Sequence, residues 1–161
     1  IYERGNSRRF LLAIGLAVLF AAVIILVDRR APFPADVNVL FPHSIPFYPV
    51  MGYVAEVLFH ILPFCLLYFV LSVLLGKTSN TRIIWISILI GALIEPVFQV
   101  AFSEGQPVWA VAYVGLHLFL IGLAEMLLFR RYDYVTMYSF RLSYYVLWHI
   151  LWGHLRLSLL F

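Results

Sequence analysis

Charge is scarce in this chain: Asp, Glu, Lys and Arg make up 12% of its 161 residues, against about 25% in soluble globular domains. The single cysteine, Cys65, excludes an intramolecular disulfide, and its apolar surroundings predict a buried, inert thiol. The net charge of +3 is small, and the positive residues gather at the ends of apolar segments. That distribution argues against a nucleic-acid surface and fits topology signals instead. Internal repeats, low-complexity tracts and a His-Glu-x-x-His sequence are all absent. Hydrophobic residues, by contrast, reach 64% and aromatic residues 17%, where a soluble domain has roughly 45–50% apolar residues. These proportions describe an integral membrane protein whose principal partner is the lipid bilayer. At about 20 residues per helical crossing, the length holds five or six spans and no separate soluble domain, so 1–161 is read as one integral membrane domain. The chain opens on Ile1, and a segment upstream of it is expected.

Apolar runs place the spans. Phe10 to Val27 is uninterrupted, with Arg4, Arg8 and Arg9 before it and Asp28, Arg29 and Arg30 after it. No small-residue cleavage site comes after it, so it reads as a span and not as a secretory signal. Pro32, Pro34, Pro42, Pro46 and Pro49 then break any long helix, and Ala31 to Pro49 is expected to be a loop with a short membrane-surface stretch around Val39 to Phe47. A tilted, kinked span near 50–75 contains Pro63, and a polar turn runs from Gly76 to Arg82. Further spans are expected near 83–102, 107–129 and 134–152, with turns at Ser103 to Gln106 and Arg130 to Asp133. The fold class is thus all-α, a polytopic helical bundle of about five spans. Arg4, Arg8, Arg9, Lys77, Arg82, Arg130 and Arg131 fall on one side, and Arg29, Arg30 and Arg156 on the other. Cytoplasmic loops accumulate Lys and Arg, so the bias puts the N-terminus in the cytoplasm. Tyr2, Trp109, Trp148 and Trp152 read as interface anchors, and His43 and His154 as interfacial.

Against this background, the ionisable residues inside the spans stand out. Each costs about 2.5–3.5 kcal/mol or more at membrane depth, so each is expected to face protein and to have a partner. Glu56 and His60 stand four residues apart and share a helix face, as do Glu95 and Gln99. His117 and Glu125 align on the fourth span, and Arg141, Tyr145 and His149 on the fifth. Zinc accepts imidazole nitrogen and carboxylate oxygen, so Glu56, His60 and His149 are candidate metal ligands. The alternative is that Glu and His neutralise Arg141 and one another, holding helices in register. His117, set among Leu118, Phe119 and Leu120, is either hydrogen-bonded packing or, like His149, an axial ligand for a haem or chlorophyll-type ring.

Ala55-Glu56-Val57-Leu58-Phe59-His60 resembles the Glu-Glu-x-x-Phe-Arg motif of the CPBP family, the CAAX-protease and bacteriocin-processing intramembrane proteins. Phe98 to Phe102 stands where that family carries Phe-x-x-x-His, and the Gly122-containing span leads through a basic turn to a span bearing His149. The resemblance covers about two thirds of the chain, from Gly52 to Gly153, and rests on order and spacing more than identity. It implies a hydrolytic centre of two Glu and two His activating water, with Glu56 and His149 in catalytic positions and His60 a candidate substitute. Departures are extensive: Ala55 replaces the first Glu, His60 the Arg, Phe102 the second-motif His, and Gly153 a residue that is usually Asn or similarly polar. The expected function is therefore a non-catalytic, CPBP-like accessory or assembly subunit of a membrane complex, with other membrane subunits as partners, in the bacterial inner membrane. An active metallopeptidase and a pigment-ligating protein are the alternatives.

Overall fold

The computed structural model describes residues 4–75, 80–103 and 106–161. Most of the expected turn from Gly76, including Lys77, lies outside the described residues, as do Glu104, Gly105 and the expected anchor Tyr2. Among the described residues the regular structure is entirely helical. Helix α1 runs Arg4–Arg30, α2 Ser44–Leu74, α3 Asn80–Ala101, α4 Val108–Arg131, and α5 is a continuous helical stretch over 134–160. Helices α1 to α4 are long and apolar enough to cross a membrane. Helix α5 matches them in length but carries Arg141, His149 and several tyrosines, which lower its hydropathy.

Helix α2 begins at Ser44, earlier than its prolines predict. Pro46 falls in the first turn, where a missing N–H has no intrahelical partner to lose, so only Pro49 lies inside the ladder. Two helices widen into π-helical turns, α2 over Glu56–Ile61 and α5 over Val146–Trp152. In α2 the Leu62 N–H donates five residues back to the Val57 carbonyl, and Pro63, which has no N–H to offer, comes directly after it. The wider register and the proline thus occur together, as expected where the α ladder loses a donor.

Contacts gather the chain into two compact units, Ile1–Tyr53 with Leu128–Phe161, and Val54–Leu127. In the first, α1 packs along Tyr134–Tyr145. Ala13, Ala17 and Ala21 are buried at four-residue intervals, and so small a stripe lets helix backbones approach closely. Ile24 and Asp28 continue the stripe. The Asp28 carboxylate accepts from Arg156 Nε at 2.8 Å and Nη2 at 2.7 Å, from Trp152 Nε1 at 2.7 Å and from the Phe33 N–H at 2.8 Å. Arg156 also donates to the carbonyls of Pro34 and Phe33. Both charged side chains are fully buried. Arg156 is consequently a packing residue and not a surface topology charge. Trp148 and Trp152 are buried as well, Trp148 edge-on to Phe33, where the sequence predicted interface anchors. Cys65 is exposed, not buried, because it lies on the outward face of α2.

In the second unit Leu62–Leu74 and the π turn of α2 both pack along α3. The inward face of α3 carries Ser87, Ile88, Gly91, Ala92 and Glu95, a mixture of small and polar residues suited to close helix contact.

Removing one partner of a buried ion pair strands the other charge. Arg156→Met alone, or Asp28→Asn alone, is expected to lower stability by about 3–5 kcal/mol, whereas Asp28→Leu with Arg156→Met should come close to neutral. Unfolding in detergent micelles would measure both, and an equal loss in the double variant would contradict the ion-pair account.

At the start of α5, Asp133 caps the helix by accepting from the Thr136 N–H at 2.8 Å and its hydroxyl at 2.9 Å, and it also pairs with Arg9. Burial pushes its carboxyl up, but the Thr136 bonds and the Arg9 guanidinium together hold it below the usual carboxylate range. A group depressed in this way stabilises the fold above its unfolded pKa of about 3.9, and the contribution is lost as pH falls through the folded value. Asp133→Ala should therefore cost about 1 kcal/mol near neutral pH, as lost N-caps do, and the deficit should vanish in acid. Thermal melts of parent and variant across pH check this, a pH-independent gap being the contrary result.

Candidate functional site

The densest group of ionisable side chains within one unit centres on His60. The π turn of α2 carries Glu56 and His60, both fully buried. Helix α3 contributes Glu95, directly before Pro96, and α4 contributes Glu125, each also buried. Each ring nitrogen of His60 faces carboxylate: Nδ1 lies 3.5 Å from Glu56 Oε2, and Nε2 lies 3.7 Å from Glu125 Oε2 and 3.9 Å from Glu95 Oε2. Donor atoms of Glu56, His60 and Glu125 all fall within 4.8 Å of one another. Imidazole and carboxylate are the donor types zinc accepts, and they are equally the types that share protons with one another.

Gly122 makes this approach possible. It stands one turn before Glu125 on α4, and a Cβ there would sit 2.9 Å from His60 Nε2 and 3.3 Å from the Ala92 carbonyl oxygen. No side chain larger than hydrogen fits without displacing the imidazole or the α3 backbone. Further along α4 towards its start, His117 and Ile121 are buried on the stripe that ends in Glu125. His117 stacks on Tyr113 with ring centroids 5.4 Å apart, and its Nδ1 is 3.5 Å from the Tyr113 hydroxyl. Gln99, four residues beyond Glu95, is exposed. The shared face expected of these two ends at the proline, and Gln99 belongs to the outer turn of α3.

His149 lies in the other unit, in the π turn of α5. Its Nδ1 pairs with Asn38 Oδ1 at 2.6 Å, which puts the proton on Nδ1. Its ring stacks on Tyr48 with centroids 4.4 Å apart, and meets the Tyr145 edge at 4.8 Å. Tyr48 in turn accepts from the Val39 N–H at 2.8 Å. Gly153 provides the floor, because a Cβ there would fall 3.0 Å from Asn38 Nδ2. Arg141, on the same helix, is buried and donates from Nη1 to the Tyr145 hydroxyl at 3.1 Å. His43 and His154 are exposed, and so is Phe102, where the resemblance would place a histidine.

No family model, curated protein or solved structure matches this chain. The site must be read from its own geometry. Sequence spacing pairs Glu56 with His60 but leaves Glu95 and Glu125 as separate interior pairing, because periodicity identifies a face and not its neighbour. Asn38 carries no signal beyond that of a turn residue. A sequence cue for Glu125 is Gly122, a glycine three residues earlier on an apolar helix.

Adding a methyl group at Gly122 raises helix propensity by about 1 kcal/mol but overpacks a site bounded by backbone on one side, at a typical cost of about 1–3 kcal/mol. Gly122→Ala is expected to be destabilising by up to about 2 kcal/mol on balance, and Gly15→Ala, where nothing lies within 4 Å of the added Cβ, should be neutral or stabilising. Thermal stability of the two variants in the same detergent decides between packing at His60 and a general effect of glycine replacement.

Proposed function

We propose that this chain is a non-catalytic integral membrane protein built on a CPBP-like helical plan, acting as an accessory or assembly subunit of a larger complex in a bacterial plasma membrane. The observation that carries the reading is the state of His149. It is the only imidazole the resemblance maps onto a catalytic position, and its Nδ1 is committed to Asn38 and its face to Tyr48. A histidine held in that way orders the proline-rich segment against α5. Phe102, at the other family histidine position, supplies no proton acceptor. Broad exposed apolar and aromatic faces, including Trp85, Phe98 and Trp109, offer contact to lipid and to partner helices.

Extraction of a tagged full-length chain, expressed at native level, in mild detergent is expected to yield a stoichiometric complex larger than the monomer plus micelle. Recovery as a free monomer alone overturns the reading. The competing reading, an intramembrane metallopeptidase, draws on Glu56 lying 3.5 Å from His60. Under it, Glu56→Gln and His149→Ala should each abolish processing of membrane-delivered substrates. Under the accessory reading, partner recovery persists in Glu56→Gln.

A further inference from the structure

Buried carboxylates from three helical segments converge on the His60 imidazole. Glu56, Glu125 and Glu95 stand 3.5, 3.7 and 3.9 Å from the ring nitrogens. One ligand atom from each of Glu56, His60 and Glu125 falls within 4.8 Å of the other two, and all three side chains are fully buried. From this convergence of donor types that such ions accept we propose that Glu56, His60 and Glu125 hold a divalent first-row transition ion, of the Zn2+ or Mn2+ class, with Glu95 the nearest additional carboxylate.

Three further observations bear on this. The three ligands come from two different helices of one unit, α2 and α4, and α3 brings Glu95, so one ion ties together three separate segments of Val54–Leu127. One imidazole and several carboxylates form a harder donor set than a thiolate site, which favours Zn2+ or Mn2+ over Cu+. Gly122 leaves beside His60 Nε2 the volume that a Cβ would fill. With Glu95 as a fourth donor the shell closes on protein alone, the arrangement of structural sites; catalytic sites keep a position open for water. The ion is then a clamp, compatible with the accessory reading but independent of it, since partner recovery and metal content are separate measurements.

The test uses the full-length chain purified in detergent, stripped by dialysis against a chelator and then reloaded with Zn2+ or Mn2+ alone. Elemental analysis after desalting is expected to find about one ion per chain, with a melting temperature that rises on loading and falls again with chelator. His60→Gln and Glu125→Gln should each weaken retention about tenfold or more, whereas Asp36→Asn, a carboxylate in the turn before α2, should leave it unchanged. Because buried variants can fail to fold, X-ray absorption on the loaded parent provides a second readout: one imidazole nitrogen with oxygen donors at about 2.0–2.2 Å. Metal content near zero with no thermal shift overturns the proposal. So does equal retention by folded His60→Gln, or a ligand shell containing no imidazole.

Discussion

An ionised side chain withdrawn from water must be given back, by the protein, the interactions that water supplied. The first unit meets this requirement in full at Asp28 and Arg156. The aspartate accepts four hydrogen bonds, and the guanidinium divides its donors between that carboxylate and the carbonyls of Phe33 and Pro34. Much of the local structure depends on that exchange. The end of α1 must deliver Asp28, the end of α5 must deliver Arg156 and Trp152, and the proline-rich segment must pass close enough to present two carbonyls. That segment supplies both kinds of partner, the Phe33 N–H to Asp28 and the Phe33 and Pro34 carbonyls to Arg156. The alanine stripe of α1 serves the same end, since α1 and α5 must lie close for the two charges to meet.

Both π turns occur where polar residues are brought inward. Glu56–Ile61 contains Glu56 and His60, and Val146–Trp152 contains His149. Just beyond each lies a residue that does not support a regular ladder, Pro63 in one case and Gly153 in the other. A π turn holds an extra residue and rotates the rest of the helix, so it re-aims a side chain without ending the element. In each unit a glycine then receives the polar group on its bare backbone: Gly122 beneath His60, and Gly153 beneath Asn38. At these two polar groups, glycine on a neighbouring segment yields the space the side chain occupies.

The helices themselves were legible because lipid imposes a length and a composition on every crossing, and the runs at 10–27, 83–102 and 107–129 fall within α1, α3 and α4 or extend them by a residue. The start of α2 was not, because proline is penalised inside a helix and tolerated in its first turn, and position within the turn depends on where the helix begins. Which side chains are buried was partly legible. Glu56, His60, Glu125 and Arg141 were placed inward by cost alone. Asp28 and Arg156 were not, since each stands beside an apolar run where a charged residue ordinarily meets water, and no local pattern reports that two such ends meet in space. Trp148 and Trp152 were misplaced for the same reason: an indole N–H suits an interface and a buried carboxylate equally well, and Asp28 decided in favour of burial for Trp152. Cys65 shows the converse, an apolar neighbourhood that belongs to the outside of a membrane helix and not to a protein interior.

Two sets of buried ionisable groups are assembled in different ways. Asp28 and Arg156 meet at 2.7–2.8 Å, at the distance of charge-assisted hydrogen bonds. The carboxylates around His60 stand 3.5–3.9 Å from its nitrogens, although these side chains too are buried. Gly122 keeps a Cβ out of the space beside Nε2, and the set is assembled from three separate helical segments, so its geometry follows from how those segments pack. The second unit, where several carboxylates face one imidazole, is the part of the molecule where chemistry beyond packing should be sought.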